Sequence, residues 1–259
     1  MGIADLWRGT IYLGPGWLVY AGAAGPVARH RHWAVQVLVA LSGRFVLRDD
    51  GGREVDCVRA VVPSNVAHST TRPTAAALLL YLEPTSPTGR RLAAGSGPEP
   101  RDWSSAGGRL TEIAEHAVRT WADAQALAER LRLPALWPSP SMPTEHPAVT
   151  QVLADLPGSL DRPIRVPALA DTVGLSAGRL SHLFNTEVGI SVPAYVRWLR
   201  LREAGTALAA GANLTDAAYA AGFADSAHLS RTFRRAFGMS PSTVVGNAQW
   251  EVGPAPGRG

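Results

Sequence analysis

Two groups of residues in this sequence have the types and spacing to do chemistry. The first is built on histidine. Side chains alternate along an extended strand, so His30, His32 and Gln36 would point to one face. His68 follows downstream, in Pro63-Ser64-Asn65-Val66-Ala67-His68. Imidazole nitrogens ligate transition metals or make directional hydrogen bonds, and Gln36 adds a neutral amide. The second group lies on two stretches with helical rhythm. At 100° per residue, Leu180, Leu183 and Phe184 share one face of a helix from Ala177 to about Thr186, and Gly178, Ser181, His182 and Asn185 share the other. From Ser226 to Arg235, Leu229, Thr232 and Phe233 turn inward with Ala236, opposite Ala227, Ser230, Arg231, Arg234 and Arg235. Small polar side chains on an exposed helix can reach base edges. Arginine binds guanine bidentately or pairs with phosphate.

The elements that would position the second group occur twice. Leu169-Ala170-Asp171-Thr172-Val173-Gly174-Leu175-Ser176 precedes the first helix, and Ala217-Ala218-Tyr219-Ala220-Ala221-Gly222-Phe223-Ala224 precedes the second. Each is a short apolar helix, a glycine turn and an amphipathic helix, which is the arrangement of a helix-turn-helix motif. The histidines sit in a different kind of sequence. Val35, Val37, Val39 and Leu41 alternate with other residues, and Phe45 and Leu47 continue beyond Gly43. Asp49-Asp50-Gly51-Gly52 is a hairpin turn, and residues 60–62 and 75–82 are further strand candidates. Residues 84–108 are rich in Pro, Gly and Ser and read as a loop, whereas 109–133 have helical periodicity. Prolines 134, 138, 140, 143 and 147 then mark a linker.

The predicted organisation is therefore a sheet-rich domain over 1–83, a loop and connecting or dimerisation helices over 84–133, and a proline-rich linker over 134–147. A helical domain follows over 148–245 and a tail over 246–259, with residues from about 145 onward able to fold alone. The 259 residues are 46% hydrophobic, enough for two cores. Cys57 is the single cysteine, so no internal disulfide forms. No signal-peptide pattern is present, and the apolar run 75–82 is too short to span a bilayer, which points to a cytoplasmic protein without membrane partners. All 25 basic residues are arginine, as GC-rich coding would produce, and the net charge of +4 permits a nucleic-acid partner without demanding one. His116 and His146 read as surface residues, and of the eight tryptophans Trp7, Trp17, Trp33, Trp103, Trp121 and Trp137 read as core.

From about Leu169 to Pro241 the sequence resembles the AraC/XylS family of bacterial transcription regulators. The most specific stretch is Ala221-Gly222-Phe223-Ala224-Asp225-Ser226-Ala227-His228-Leu229-Ser230-Arg231-Thr232-Phe233-Arg234-Arg235, followed by Phe237-Gly238-Met239-Ser240-Pro241. Gly189-Ile190-Ser191, Tyr195, Arg200-Leu201 and Ala204 resemble the long helix that joins the family's two motifs. The resemblance implies base contacts from Gly178, Ser181 and His182 and from Ser226, Ala227 and His228, with phosphate or base contacts from Ser230 and Arg231. The helical wheel places Ser226 as a helix cap and His228 at the edge of the exposed face. His30, His32, Gln36 and His68 resemble the metal-binding positions of the cupin barrel, with Gln36 where a carboxylate is usual. That likeness implies either an effector pocket without metal or a divalent transition-metal site on His30, His32 and His68.

The expected fold is α+β: an N-terminal cupin-like β-barrel, connecting helices, and an all-α C-terminal domain with two helix-turn-helix motifs. The expected protein is a homodimeric regulator of double-stranded promoter DNA that responds to a small-molecule or metal effector. It would contact RNA polymerase if an activator; activation and repression stay open. The rival reading is a metal-dependent cupin enzyme with a helical appendage.

Overall fold

The computed structural model describes residues 6–110, 118–131 and 146–253. His116 and the prolines of 134–145 lie outside these residues. The chain divides into two compact units: residues 1–139 with 233–259, and residues 140–232. The division falls inside one helix, whereas the sequence reading keeps 148–245 together.

Among the described residues, unit 1 carries ten strands: β1 (Arg8–Gly14), β2 (Trp17–Ala24), β3 (Val27–His30), β4 (Val35–Ser42), β5 (Phe45–Asp49), β6 (Glu54–Cys57), β7 (Arg59–Val62), β8 (His68–Thr70), β9 (Thr74–Leu82) and β10 (Ala248–Val252). They form two sheets, in the orders β10-β1-β2-β9-β4-β7 and β3-β8-β5-β6. The Asp49–Gly52 turn joins β5 to β6 as the sequence implies, with Arg48 opposite Glu54. On β4, Val35, Val37 and Val39 face a core shared with Leu78, Leu80 and Leu82 of β9. Each such buried Val or Leu contributes roughly 1.5–3 kcal/mol. Gln36 and Leu38, on the opposite face, are buried as well. β4 is paired on both edges and covered on both faces, so it lacks a polar stripe.

Helices α1 (Pro87–Ala94), α2 (Pro100–Gly108) and α3 (Trp121–Arg130) close this core through Leu92, Ala106 and Leu127. The stretch 84–108 is thus largely helical rather than a loop. Its prolines start helices. Pro87 follows the N-cap Ser86, which accepts from the Gly89 N–H, and Pro100 follows the capping residue Glu99. Thr120 and Asp123 form a reciprocal cap that begins α3 at Trp121. The sequence reading also assigns Ala248–Val252 to a tail; these residues form β10, parallel to β1 and in register from Gly9–Ala248 to Leu13–Val252.

Unit 2 contains α4 (Pro147–Asp155), α5 (Val166–Thr172), α6 (Ala177–Val188), α7 (Val192–Ala209) and α8 (Leu214–Ala220), and the first turns of α9 (Ser226–Phe237). α9 ends in unit 1, where α10 (Pro241–Val245) follows. Within unit 2, α5 packs on α6, and α7 packs on both α6 and α8. Tyr195, Trp198, Leu199 and Leu208 of α7 are buried, along with Leu180 and Phe184 of α6. No described helix is long and apolar enough to cross a membrane.

Candidate nucleic-acid interface and buried histidine cluster

Both helix-turn-helix motifs form where the repeat places them. α5 turns through Gly174, at φ 67°, into α6, and α8 turns through Gly222, at φ 73°, into α9. Glycine enters this left-handed region without the clash of a Cβ. Ser176 caps α6 by accepting from the Arg179 N–H. α9 is capped by Asp225, whose carboxylate accepts from the His228 N–H. This displaces the expected cap at Ser226 by one residue, because a carboxylate at 225 already reaches the third amide of the first turn.

The exposed faces carry the expected residues. Gly178, Ser181, His182 and Asn185 on α6 are exposed, as are Ala227, Arg231, Arg234 and Arg235 on α9. Ser226, His228 and Ser230 are half-buried, and the His228 ring stands edge-on to Phe223 at 5.2 Å. The Ser181 hydroxyl donates to the Ala177 carbonyl at 2.8 Å, which leaves its oxygen lone pairs outward. The helical wheel passes over Arg179, also on α6, because it flanks the polar face. A long cation there reaches a phosphate more readily than a base.

In unit 1 the structure brings His30, His32 and His68 together, with Gln36 beside them. The local route differs from the sequence expectation. His30 ends β3, His32 sits in the short connection after it, and Gln36 lies on β4 of the other sheet. The corner between β3 and β4 gathers them, not alternation along one strand. Among the described residues this is the one group of three or more histidine, cysteine or carboxylate side chains able to hold an ion, with ligand atoms within 4.8 Å of one another. His32 is 0% exposed and His68 1%.

The protons of this cluster follow from its hydrogen bonds. The Nδ1 atoms of His30, His32 and His68 lie 3.0, 2.8 and 3.1 Å from the carbonyls of Ala28, Ala34 and Val66. A carbonyl only accepts, so each Nδ1 carries the proton and each neutral ring keeps its lone pair on Nε2. Burial lowers the pKa of all three rings, to about 3 for His30, so they are neutral at pH 7. Gln36 Oε1 lies 3.0 Å from His32 Nε2 and 3.1 Å from His68 Nε2, and Gln36 Nε2 lies 2.9 Å from the Tyr81 hydroxyl. With oxygen inward, the amide adds a further electron-pair donor to the ring nitrogens with no proton between them. Rotated by 180°, it would donate its NH2 to both rings and accept from Tyr81.

Beside the cluster, Trp7, Tyr20, Tyr81, Phe237, Met239 and Trp250 line an almost wholly apolar cavity of about 60 Å³. Organic ligands of drug size occupy roughly 300–1,000 Å³. A larger cleft, about 420 Å³, is bordered by Pro15, Trp17, Ser86, Thr88, Arg91 and Ala128, and none of the histidines lines it.

Residues 169–246 match the family described as a helix-turn-helix domain. The chain is 33% identical over 102 residues to the HTH-type transcriptional regulator GlxA of Rhizobium meliloti, a match covering 39% of this chain and 32% of that protein. It is 35% identical over 105 residues to the HTH-type transcriptional activator RhaR of Pectobacterium atrosepticum, covering 40% of this chain and 37% of that one. The chain thus spans about a third of the length of these curated relatives. The chain is similar in fold to ToxT of Vibrio cholerae, solved as a variant in its apo form, with a TM-score of 0.60 at 12% identity over 90% of this chain and 98% of that one. The region of this chain that matches the helix-turn-helix domain family is the one that carries the two motifs.

Proposed function

We propose that the protein is a sequence-specific transcription regulator. α6 and α9 enter successive major grooves of promoter DNA, and unit 1 senses a small-molecule or metal effector. The observation that carries this reading is the pair of motifs whose glycine turns, caps and buried stripes leave two polar faces exposed, one of them rich in arginine. In this reading Gly178, Ser181, His182, Asn185, Ser226, Ala227, His228, Ser230, Arg231 and Arg234 contact bases or phosphates, and His30, His32, Gln36 and His68 form the effector site. RhaR and RhaS are activators by name, which supports contact with RNA polymerase. ToxT has been solved with an unsaturated fatty acid bound, which supports a sensing role for the sheet-rich unit. A homodimer would add avidity. The metal-dependent enzyme reading draws on the histidines alone and leaves both exposed helix faces without a use.

Selection of sites from random double-stranded DNA by the full chain, followed by anisotropy titration, tests this. The expected result is an enriched site with two elements about 10 base pairs apart, bound at least about 10³-fold more tightly than unrelated DNA. Equal affinity for all sequences would overturn it.

A further inference from the structure

We propose that Arg200 is a positioning residue for DNA recognition: it locks the turn of the second motif to the segment that leads into the first, and so fixes the spacing of the two DNA elements that α6 and α9 read together. This role rests on the reading of the chain as a sequence-specific regulator. It goes further in naming the residue that makes two motifs act as one reader.

Three segments of unit 2 meet at Arg200. The residue lies at the middle of α7, the helix between the motifs. Its Nη2 donates to the carbonyl of Leu160 at 3.3 Å and to that of Arg162 at 3.2 Å. Both carbonyls belong to the segment between α4 and α5, which enters the first motif. A single 3-10 turn at Pro157–Ser159 begins that segment and packs on α4, and α4 in turn packs on α6. On the other side stands the turn between α8 and α9. A Cβ on Gly222 would lie 2.2 Å from the Leu160 carbonyl oxygen and 3.2 Å from Arg200 Nε. The Leu160 carbonyl is thus held between the guanidinium and the turn of the second motif. A planar guanidinium presents its donors at fixed angles, which the mobile ammonium of a lysine does not.

Stability alone does not account for this cation. Burial lowers its pKa from the usual arginine value, and no neighbouring acid offsets that burial. Its Nε–H is buried without a hydrogen-bond partner among the described residues. A desolvated charge held only by carbonyls costs stability, and an apolar side chain of similar length would fill the same space at little loss. What the guanidinium supplies is geometry. A protein that grips two elements at once gains because the second contact is intramolecular, and the gain is greatest when the linkage already holds the second module in place. Loosening the junction therefore removes the gain from joint binding and leaves the contacts of each helix as they were.

The test uses the full chain and four DNA probes. One is the selected two-element site. The second has two base pairs inserted between the elements, which turns one of them by about 70° around the duplex. The other two have one element or the other scrambled. The wild-type chain should bind the selected site at least about 100-fold more tightly than any of the other three. Arg200→Met keeps the apolar stem and removes the donors. It should bind the selected site at least about tenfold more weakly, discriminate against the insertion by less than about threefold, and bind the scrambled probes within about twofold of wild type. Its urea midpoint should change little. Arg200→Lys should fall between the two in its discrimination, and it decides the matter if Arg200→Met does not fold. Undiminished discrimination in a folded variant overturns the role. So does a parallel loss on all four probes, which marks a merely structural residue, or a wild-type chain indifferent to the insertion. A wild-type chain that enriches no site removes the regulator reading itself. A wild-type chain with a spacing preference that Arg200→Met fully shares removes only the role of Arg200.

Discussion

Among single residues, Arg231 shows how one side chain can be assigned a task. It is exposed on α9, one position from Ser230 and three from Arg234. If Arg231 reads a base, Arg231→Ala weakens specific binding by roughly 1–3 kcal/mol and relaxes preference at one position of the site. If it holds phosphate, the loss is the same on every sequence, and the slope of log affinity against log salt falls by about 0.9. Anisotropy titrations at several salt concentrations separate the two outcomes, and an unchanged affinity removes α9 from the groove. Cys57 allows a second residue-level measurement. It is buried, and burial pushes its thiol up to about 12. At pH 8 only about one thiol in 10⁴ is then ionised, so the folded protein should react with a disulfide reagent at least about 100-fold more slowly than the urea-unfolded chain. Equal rates would place Cys57 at the surface.

At the level of elements, the two glycine turns make a controlled comparison. Gly174 and Gly222 share a left-handed conformation, but their surroundings differ. A Cβ on Gly174 meets nothing within 4 Å, whereas one on Gly222 lies 2.2 Å from the Leu160 carbonyl. Gly174→Ala should therefore cost about 1–2 kcal/mol from conformation alone. Gly222→Ala should cost clearly more, since the Leu160–Gly222 approach must also open. Urea melts of the two variants decide it, and equal losses would refute the close approach. These turns were legible in the sequence because glycine sits between two apolar helices and the whole pattern recurs. α6 and α9 were legible for a similar reason: Leu180, Phe184 and Leu229 mark a buried stripe at helical spacing. α1 and α2 were not, since Pro87 and Pro100 read as loop signals and became helix starts only once Ser86 and Glu99 were seen as caps. β10 was invisible because its short run finds its partner, β1, at the other end of the chain. The histidines stand out in the sequence by residue type, but the corner that gathers them leaves no periodic trace.

On the scale of the whole molecule, the order of the chain and the order of the units differ. The sequence suggests a cut at the prolines between 134 and 147, with everything from about 145 onward free to fold alone. The structure instead groups residues 233–259 with the first 139. Within that unit Phe233, Phe237, Met239 and Val244 line the same cavity as Trp7, Tyr20, Leu79 and Tyr81, and β10 covers the edge of β1. Phe237 and Val244 are buried and Phe233 and Met239 partly so, which amounts to roughly 4–9 kcal/mol of apolar burial. That is comparable to the entire stability of an ordinary domain, about 5–15 kcal/mol. Residues 1–139 expressed alone should therefore expose an apolar wall and an unpaired strand edge, and should aggregate or bind a hydrophobic dye. Residues 140–259 supplied in trans should restore a soluble complex, seen by size-exclusion chromatography and recovery of the near-ultraviolet circular dichroism of the tryptophans. A monomeric, dye-silent fragment 1–139 with the native aromatic spectrum would show that the segment after Thr232 is dispensable to unit 1, and would return the domain boundary to the proline-rich stretch where the sequence alone would draw it.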